Sequence, residues 1–157
     1  MADMLVRLYN LPDSKALYDR LEAEGVRLIR PMTPNKEKVS RWIRERFGDG
    51  WANETETAFA HSPVSCFIAY DVNEKKILGF AAYDCTAKDF FGPTGVDEAQ
   101  RKRGIGGALL LKCLEAMREE GYGYAIIGSA GPKDYYTKMC GAQLLEDSTP
   151  GIYEDLI

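Results

Sequence analysis

Nine consecutive residues, Gln100-Arg101-Lys102-Arg103-Gly104-Ile105-Gly106-Gly107-Ala108, constrain the fold of this chain more than any others. Three cations run straight into a glycine cluster, and an amphipathic helix follows at once. Ile105, Leu109, Cys113 and Met117 recur every fourth residue, and Leu110 and Leu114 widen the stripe, so one helical face is committed to a core. Gly121 stands where that helix needs a left-handed residue to stop. Arg101, Lys102 and Arg103 crowd a helix start, where the macrodipole is already positive. Cations there are unfavourable unless they share an anion with the free N–H groups of the first turn. Gly104, Gly106 and Gly107 remove the side chains that would hold such an anion off the backbone. With Ile105 between them, these residues read as a phosphate cradle.

The type of cradle is narrowed by what is missing. A Walker loop ends in Gly-Lys-Ser/Thr, and Gly107-Ala108-Leu109 does not. A dinucleotide fingerprint wants a third glycine where Leu109 stands. The pattern that fits is Arg-x-x-Gly-x-Gly, met by Arg101, Gly104 and Gly106 after a strand ending at Val96. Here the sequence resembles the GNAT superfamily of acyl-CoA-dependent N-acyltransferases. The resemblance implies that this loop binds the pyrophosphate of coenzyme A, with acetyl-CoA as the acyl donor and no metal.

At 157 residues the chain is long enough for one full core, and its net charge of −4 argues against a nucleic-acid partner. In an acidic chain the Arg101–Arg103 cluster is a local positive island, suited to a small polyanion rather than a polymer. No apolar run reaches the ~18 residues of a membrane span, and Met1-Ala2-Asp3-Met4 does not begin a signal peptide. Cys66, Cys85, Cys113 and Cys140 are far apart in apolar contexts, and the lone His61 has no co-ligand. Reduced thiols in a cytoplasmic protein are expected.

Taken in order, residues 5–9 are β-compatible and Leu17, Tyr18 and Leu21 lie on a helix capped by Asp13 or Ser14 and stopped by Gly25. Residues 1–25 are read as an N-terminal extension packed on the domain, either an added sheet edge or the surface of a homodimer. Residues 26–157 form the GNAT-like domain. A strand at 26–29 precedes Thr33-Pro34, which starts a helix carrying Val39, Trp42, Ile43 and Phe47. A second helix spans 51–60. Strands are expected at 64–70, 77–85 and 89–96, then the central helix, a strand at 124–128, a helix at 132–139, and a closing hairpin of 142–145 with 152–156. This order is that of an α/β (α+β) fold similar to GNAT proteins: a mixed, mostly antiparallel sheet flanked by helices, with a splayed, bulged strand pair.

The resemblance implies the rest of the site. Gly92, Pro93 and Gly95 interrupt the strand ending at Val96, as a bulge would. Backbone groups near Thr94, Gly95 and Val96 are then free for the pantetheine arm. Ser129 occupies a position where the family often has Asn, seven residues before Tyr136 of Tyr136-Thr137-Lys138. Tyr136 is the implied proton donor to the departing sulfur. The acceptor is an amine, small-molecule or peptide, and is not identified by the sequence. A lysine-like amine of pKa ~10.4 is neutral in only ~1 molecule in 10³ at pH 7. The strand nonetheless offers only Asp89 as a carboxylate, so a water chain rather than a side chain is expected to take the proton. Two other readings stand beside this one: a GNAT-fold protein that binds acyl-CoA without catalysing transfer, and a nucleotide-binding module.

Overall fold

The computed structural model describes all 157 residues. Seven strands form one sheet in the order β2-β3-β4-β5-β6-β1-β7. They are β1 Met4–Arg7, β2 Val26–Ile29, β3 Cys66–Asp71, β4 Lys76–Tyr83, β5 Phe90–Val96, β6 Tyr124–Ile127 and β7 Gln143–Leu144. Every neighbouring pair is antiparallel except β5 and β6. Five helices flank it: α1 Lys15–Ala23, α2 Lys36–Phe47, α3 Asp49–Glu56, α4 Ile105–Glu119 and α5 Lys133–Cys140. The mixed, mostly antiparallel GNAT-like architecture expected from the sequence is the one observed.

The sheet is covered on both faces, which is why β4 reads as a continuous apolar run. Leu78, Ala81 and Tyr83 join the core beneath α4, whereas Ile77, Phe80 and Ala82 join the cluster beneath α2 and α3. Leu109, Leu110 and Leu114 of α4 are completely buried. Each such side chain contributes ~1.5–3 kcal/mol relative to exposure. The Thr33-Pro34 start is a 3-10 turn, Thr33–Asn35, and the α-helix proper begins at Lys36.

The largest departure from expectation lies at the chain ends. The closing hairpin does not form. Residues 151–153 make a 3-10 turn, and β7 pairs with β1 instead. Strand β1 lies between β6 and β7, with Met4 opposite Ile127 on one side and Leu144 on the other. It is therefore interior to the sheet, not an edge. The competition has a physical basis. Met4 and Val6 are 1% and 0% exposed in that slot, while Ile152 and Leu156 stay largely in solvent.

Candidate acyl-transfer site

Strands β5 and β6 pair only at Phe90 with Ile126 and Phe91 with Ile127. Beyond that, β5 stays with β4, with Thr94 opposite Ala81, Gly95 opposite Phe80 and Val96 opposite Gly79. The register between β4 and β5 shifts in the stretch containing Gly92 and Pro93, and Gly92 has φ 123°, open to glycine but strained for other residues. The two parallel strands thus form a V whose vertex is at Phe91 and Ile127. Thr94, Gly95 and Val96 lie on its open limb. The Thr94 hydroxyl donates to the Phe80 carbonyl at 3.0 Å, and the Phe47 ring lies so close to Gly95 that an added Cβ would sit 2.5 Å from it.

The loop after β5 delivers the cradle. Gly104, in the left-handed region at φ 85°, caps α4 with no side-chain hydrogen bond. Ala108 is the first residue of the turn whose N–H bonds back, to the Gly104 carbonyl at 3.0 Å. The N–H groups of residues 102–107 donate to no backbone carbonyl. A row of unpartnered donors at the head of a 15-residue helix fits an anion with several oxygens. A Cβ on Gly106 would touch only Val96 at 3.5 Å and the Tyr135 hydroxyl at 3.7 Å, so the surface there is open.

A family model for acetyltransferases (GNAT) matches residues 36–142. The chain belongs to the GNAT family. Among solved structures it is similar to the GCN5-related glucosamine N-acetyltransferase region of a fungal multi-domain GH3 β-N-acetylglucosaminidase, at TM-score 0.75 and 11% identity, over 92% of this chain and 19% of that one. It is also similar to a GCN5-related N-acetyltransferase from Sphaerobacter thermophilus, at TM-score 0.68 and 18% identity, over 92% of this chain and 48% of that one. A GNAT family acetyltransferase from Brucella melitensis, solved in complex with acetyl-CoA, superposes at TM-score 0.54 and 17% identity, over 76% of this chain and 86% of that one. The chain thus spans less than half the length of the first two. No curated protein matches it in sequence.

The three GNAT-loop cations are not equivalent. Arg101 is exposed, and its Nε donates to the Val96 carbonyl at 3.4 Å. Lys102 is exposed, at φ 66°. Arg103 turns away to Gln100 Oε1 at 2.7 Å and Glu24 Oε1 at 3.2 Å, while Arg20 of α1 donates to the Arg103 carbonyl at 2.7 Å. Ile105 is buried and anchors the loop in the core. Ser129, just past β6 at φ 46°, gives its N–H to Asp3 Oδ1 at 2.7 Å. The N-terminal strand therefore engages the position where GNAT proteins often carry Asn.

Tyr136 packs in the main core at 7% exposure. Burial above all, then the adjacent Tyr135 and Cys140, pushes its phenol up to about 12. Tyr135 is 38% exposed and its hydroxyl lies over the cradle, 3.5 Å from where a Cβ on Gly107 would be. Tyr135, which the sequence did not single out, thus brings its hydroxyl to the helix start. Asp3 and Tyr153 were also missed: they meet Ser129 and Gly128 just past β6 from the two ends of the chain, and no local spacing could have linked them.

Asp89, the only carboxylate of the β5 region, has a buried Oδ1 with no hydrogen-bond partner. Burial, then the neighbouring Asp84, raises its carboxyl from 3.8 to about 6. The folded protein therefore keeps a proton that the unfolded chain releases between about pH 4 and 6, and stability falls as pH rises through that window. Asp89→Asn is expected to melt at a higher temperature than the parent at pH 7.5, with the gain gone at pH 4. Equal differences at both pH values would contradict this.

Proposed function

We propose that this chain is an N-acetyltransferase that moves the acetyl group of acetyl-CoA directly to an amine. The observation that carries the reading is the row of unpartnered N–H groups at 102–107, beside a parallel strand pair that parts after two residues. The pyrophosphate of CoA would lie on residues 103–107, and the pantetheine arm along Thr94, Gly95 and Val96. The neutral amine attacks the thioester carbonyl carbon, a C–N bond forms, the C–S bond breaks, and the thiolate takes a proton from Tyr136. The amine's own proton passes to solvent. Four free cysteines support the reducing, cytoplasmic compartment read from the sequence.

Melting in the presence of CoA, ATP or NAD tests the ligand. At ~100 times its Kd, the right one adds ~2.7 kcal/mol of stability. CoA is expected to shift the melt and the other two not to. Release of free thiol from acetyl-CoA with a panel of amines then separates transfer from binding alone.

The loop geometry sharpens one expectation. Arg101→Gln should weaken CoA binding by about tenfold and flatten its salt dependence, the loss of one charge-assisted phosphate contact. Arg103→Gln should leave the Kd near that of the parent, because its guanidinium is committed to Gln100 and Glu24. A larger loss for Arg103 than for Arg101 in titration calorimetry would reverse the assignment.

A further inference from the structure

Helix α1 lies ahead of residues 36–142, the stretch that matches the GNAT family, yet it is docked against the cradle. Leu21 is completely buried in the core that α4 covers. Both oxygens of Glu115 on α4 are taken by this segment, Oε2 by the Ser14 hydroxyl at 2.6 Å and Oε1 by the Tyr18 hydroxyl at 2.7 Å. From that seat Arg20 reaches the loop before α4. Its Nη2 donates to the Arg103 carbonyl at 2.7 Å, and its Nη1 donates to Glu24 Oε2 at 2.9 Å, one turn further along α1. Glu24 Oε1 accepts from Arg103 at 3.2 Å, so one carboxylate restrains both guanidiniums. A Cβ on Gly104 would lie 2.6 Å from Arg20 Nη2 and 3.0 Å from Leu17 Cδ1. The bare Cα of Gly104 therefore admits α1, whereas the surface over Gly106 is open.

The bond to the Arg103 carbonyl fixes more than one atom. In a planar trans peptide the C=O and the following N–H point in opposite directions. With the Arg103 carbonyl turned to α1, the Gly104 N–H points away from α1. The next peptide is held in the same way: the Gly104 carbonyl accepts from the Ala108 N–H at 3.0 Å, so the Ile105 N–H points out of the helix start. That second restraint comes from α4 itself, but the first comes from Arg20 alone. A peptide that precedes glycine flips with little steric resistance, because no Cβ opposes either orientation. Flipped, the 103–104 peptide would set a carbonyl oxygen against an anion in place of a donor.

Resting on the acetyltransferase reading, we propose that Arg20 is a positioning residue for the phosphate cradle: it holds the 103–104 peptide so that the Gly104 N–H faces the pyrophosphate of CoA, without touching the phosphate itself. Helix α1 is then a working part of the cofactor site rather than an extension packed beside it. The Arg20 charge is matched by Glu24, so its contribution is one of orientation and not of added positive field.

The test uses the full chain: CoA affinity by titration calorimetry at several salt concentrations, kinetics of thiol release from acetyl-CoA with the best amine of the panel, and a thermal melt. Arg20→Ala is expected to raise both the CoA Kd and the acetyl-CoA KM by about tenfold, with kcat at saturation near the parent's. Its melting temperature should stay near the parent's, because exposed ion pairs add little to stability. The slope of log Kd against log salt should also hold, since no phosphate contact is lost, in contrast to Arg101→Gln. Arg20→Lys, which can still donate to the Arg103 carbonyl, should recover most of the affinity. A parental Kd in Arg20→Ala overturns the proposal. So does a flattened salt slope, which would put the guanidinium on the phosphate. A fall in melting temperature with kcat and affinity lost together overturns it too, by making Arg20 a packing residue only, as does an Arg20→Lys protein as weak as Arg20→Ala. A parent that does not bind CoA overturns the acetyltransferase reading beneath it.

Discussion

Gly106→Val is expected to lose CoA binding by a factor of about 10² or more while keeping its fold. Two or three N–H donors of the cradle would be screened by the new side chain, and each charge-assisted bond to phosphate is worth ~1.5–3 kcal/mol. The protein itself has room for the first carbon, since its nearest neighbours, Val96 and the Tyr135 hydroxyl, would lie at 3.5 and 3.7 Å. Valine also has a better helix propensity than glycine by a few tenths of a kcal/mol, so the first turn of α4 does not weaken. Gly107 would be a poorer choice, because a Cβ there would press the Met139 methyl at 2.7 Å and mix packing with binding. Calorimetric titration with CoA and a thermal melt decide the matter together. A parental Kd in Gly106→Val would show that the anion does not approach this backbone, and a fall in melting temperature would show that the fold had moved.

The central helix and its loop were legible because their information is local. A four-residue repeat, Ile105, Leu109, Cys113 and Met117, specifies a buried face, and every one of these residues is buried in α4. The kink in β5 was legible too, since Gly92 and Pro93 lie where its register shifts. The ends of the chain were not. Residues 4–7 and 152–156 are both short and carry apolar residues compatible with a strand, and nothing local tells which will sit beside β6. The outcome depends on burial only the assembled sheet provides: Met4 and Val6 find a closed slot, whereas Ile152 would bring Pro150 and Gly151 to its edge. That exchange decides more than a strand order. With β1 beside β6, Asp3 arrives at Gly128 and Ser129, and the C-terminal residues, released from pairing, fold Tyr153 over the same place. The vertex is thus assembled from positions 3, 128 and 153, separated by tens of residues, and was invisible to any reading of spacing.

Tyr136→Phe is expected to lower kcat by up to about 10²-fold with little change in stability or CoA affinity. Its phenol sits in the main core at 7% exposure, and nothing that shifts its ionisation is a hydrogen bond. Its hydroxyl makes no hydrogen bond within the protein, so removing it should leave the melting temperature close to that of the parent. Because burial holds the phenol near 12, it is protonated throughout the neutral range and can donate to a departing thiolate. The thiolate, of pKa near ~8.5, can also leave unaided, which sets the modest ceiling on the effect. Tyr135 provides the comparison within one helical turn. Its hydroxyl lies over Gly106 and Gly107, so Tyr135→Phe should change the CoA Kd several-fold and leave kcat at saturating acetyl-CoA near the parent. Steady-state kinetics of the two variants with the best amine separate the roles. If Tyr135→Phe loses kcat while Tyr136→Phe keeps it, the proton comes from the exposed tyrosine above the cradle, and Tyr136 serves only to pack α5 against the core.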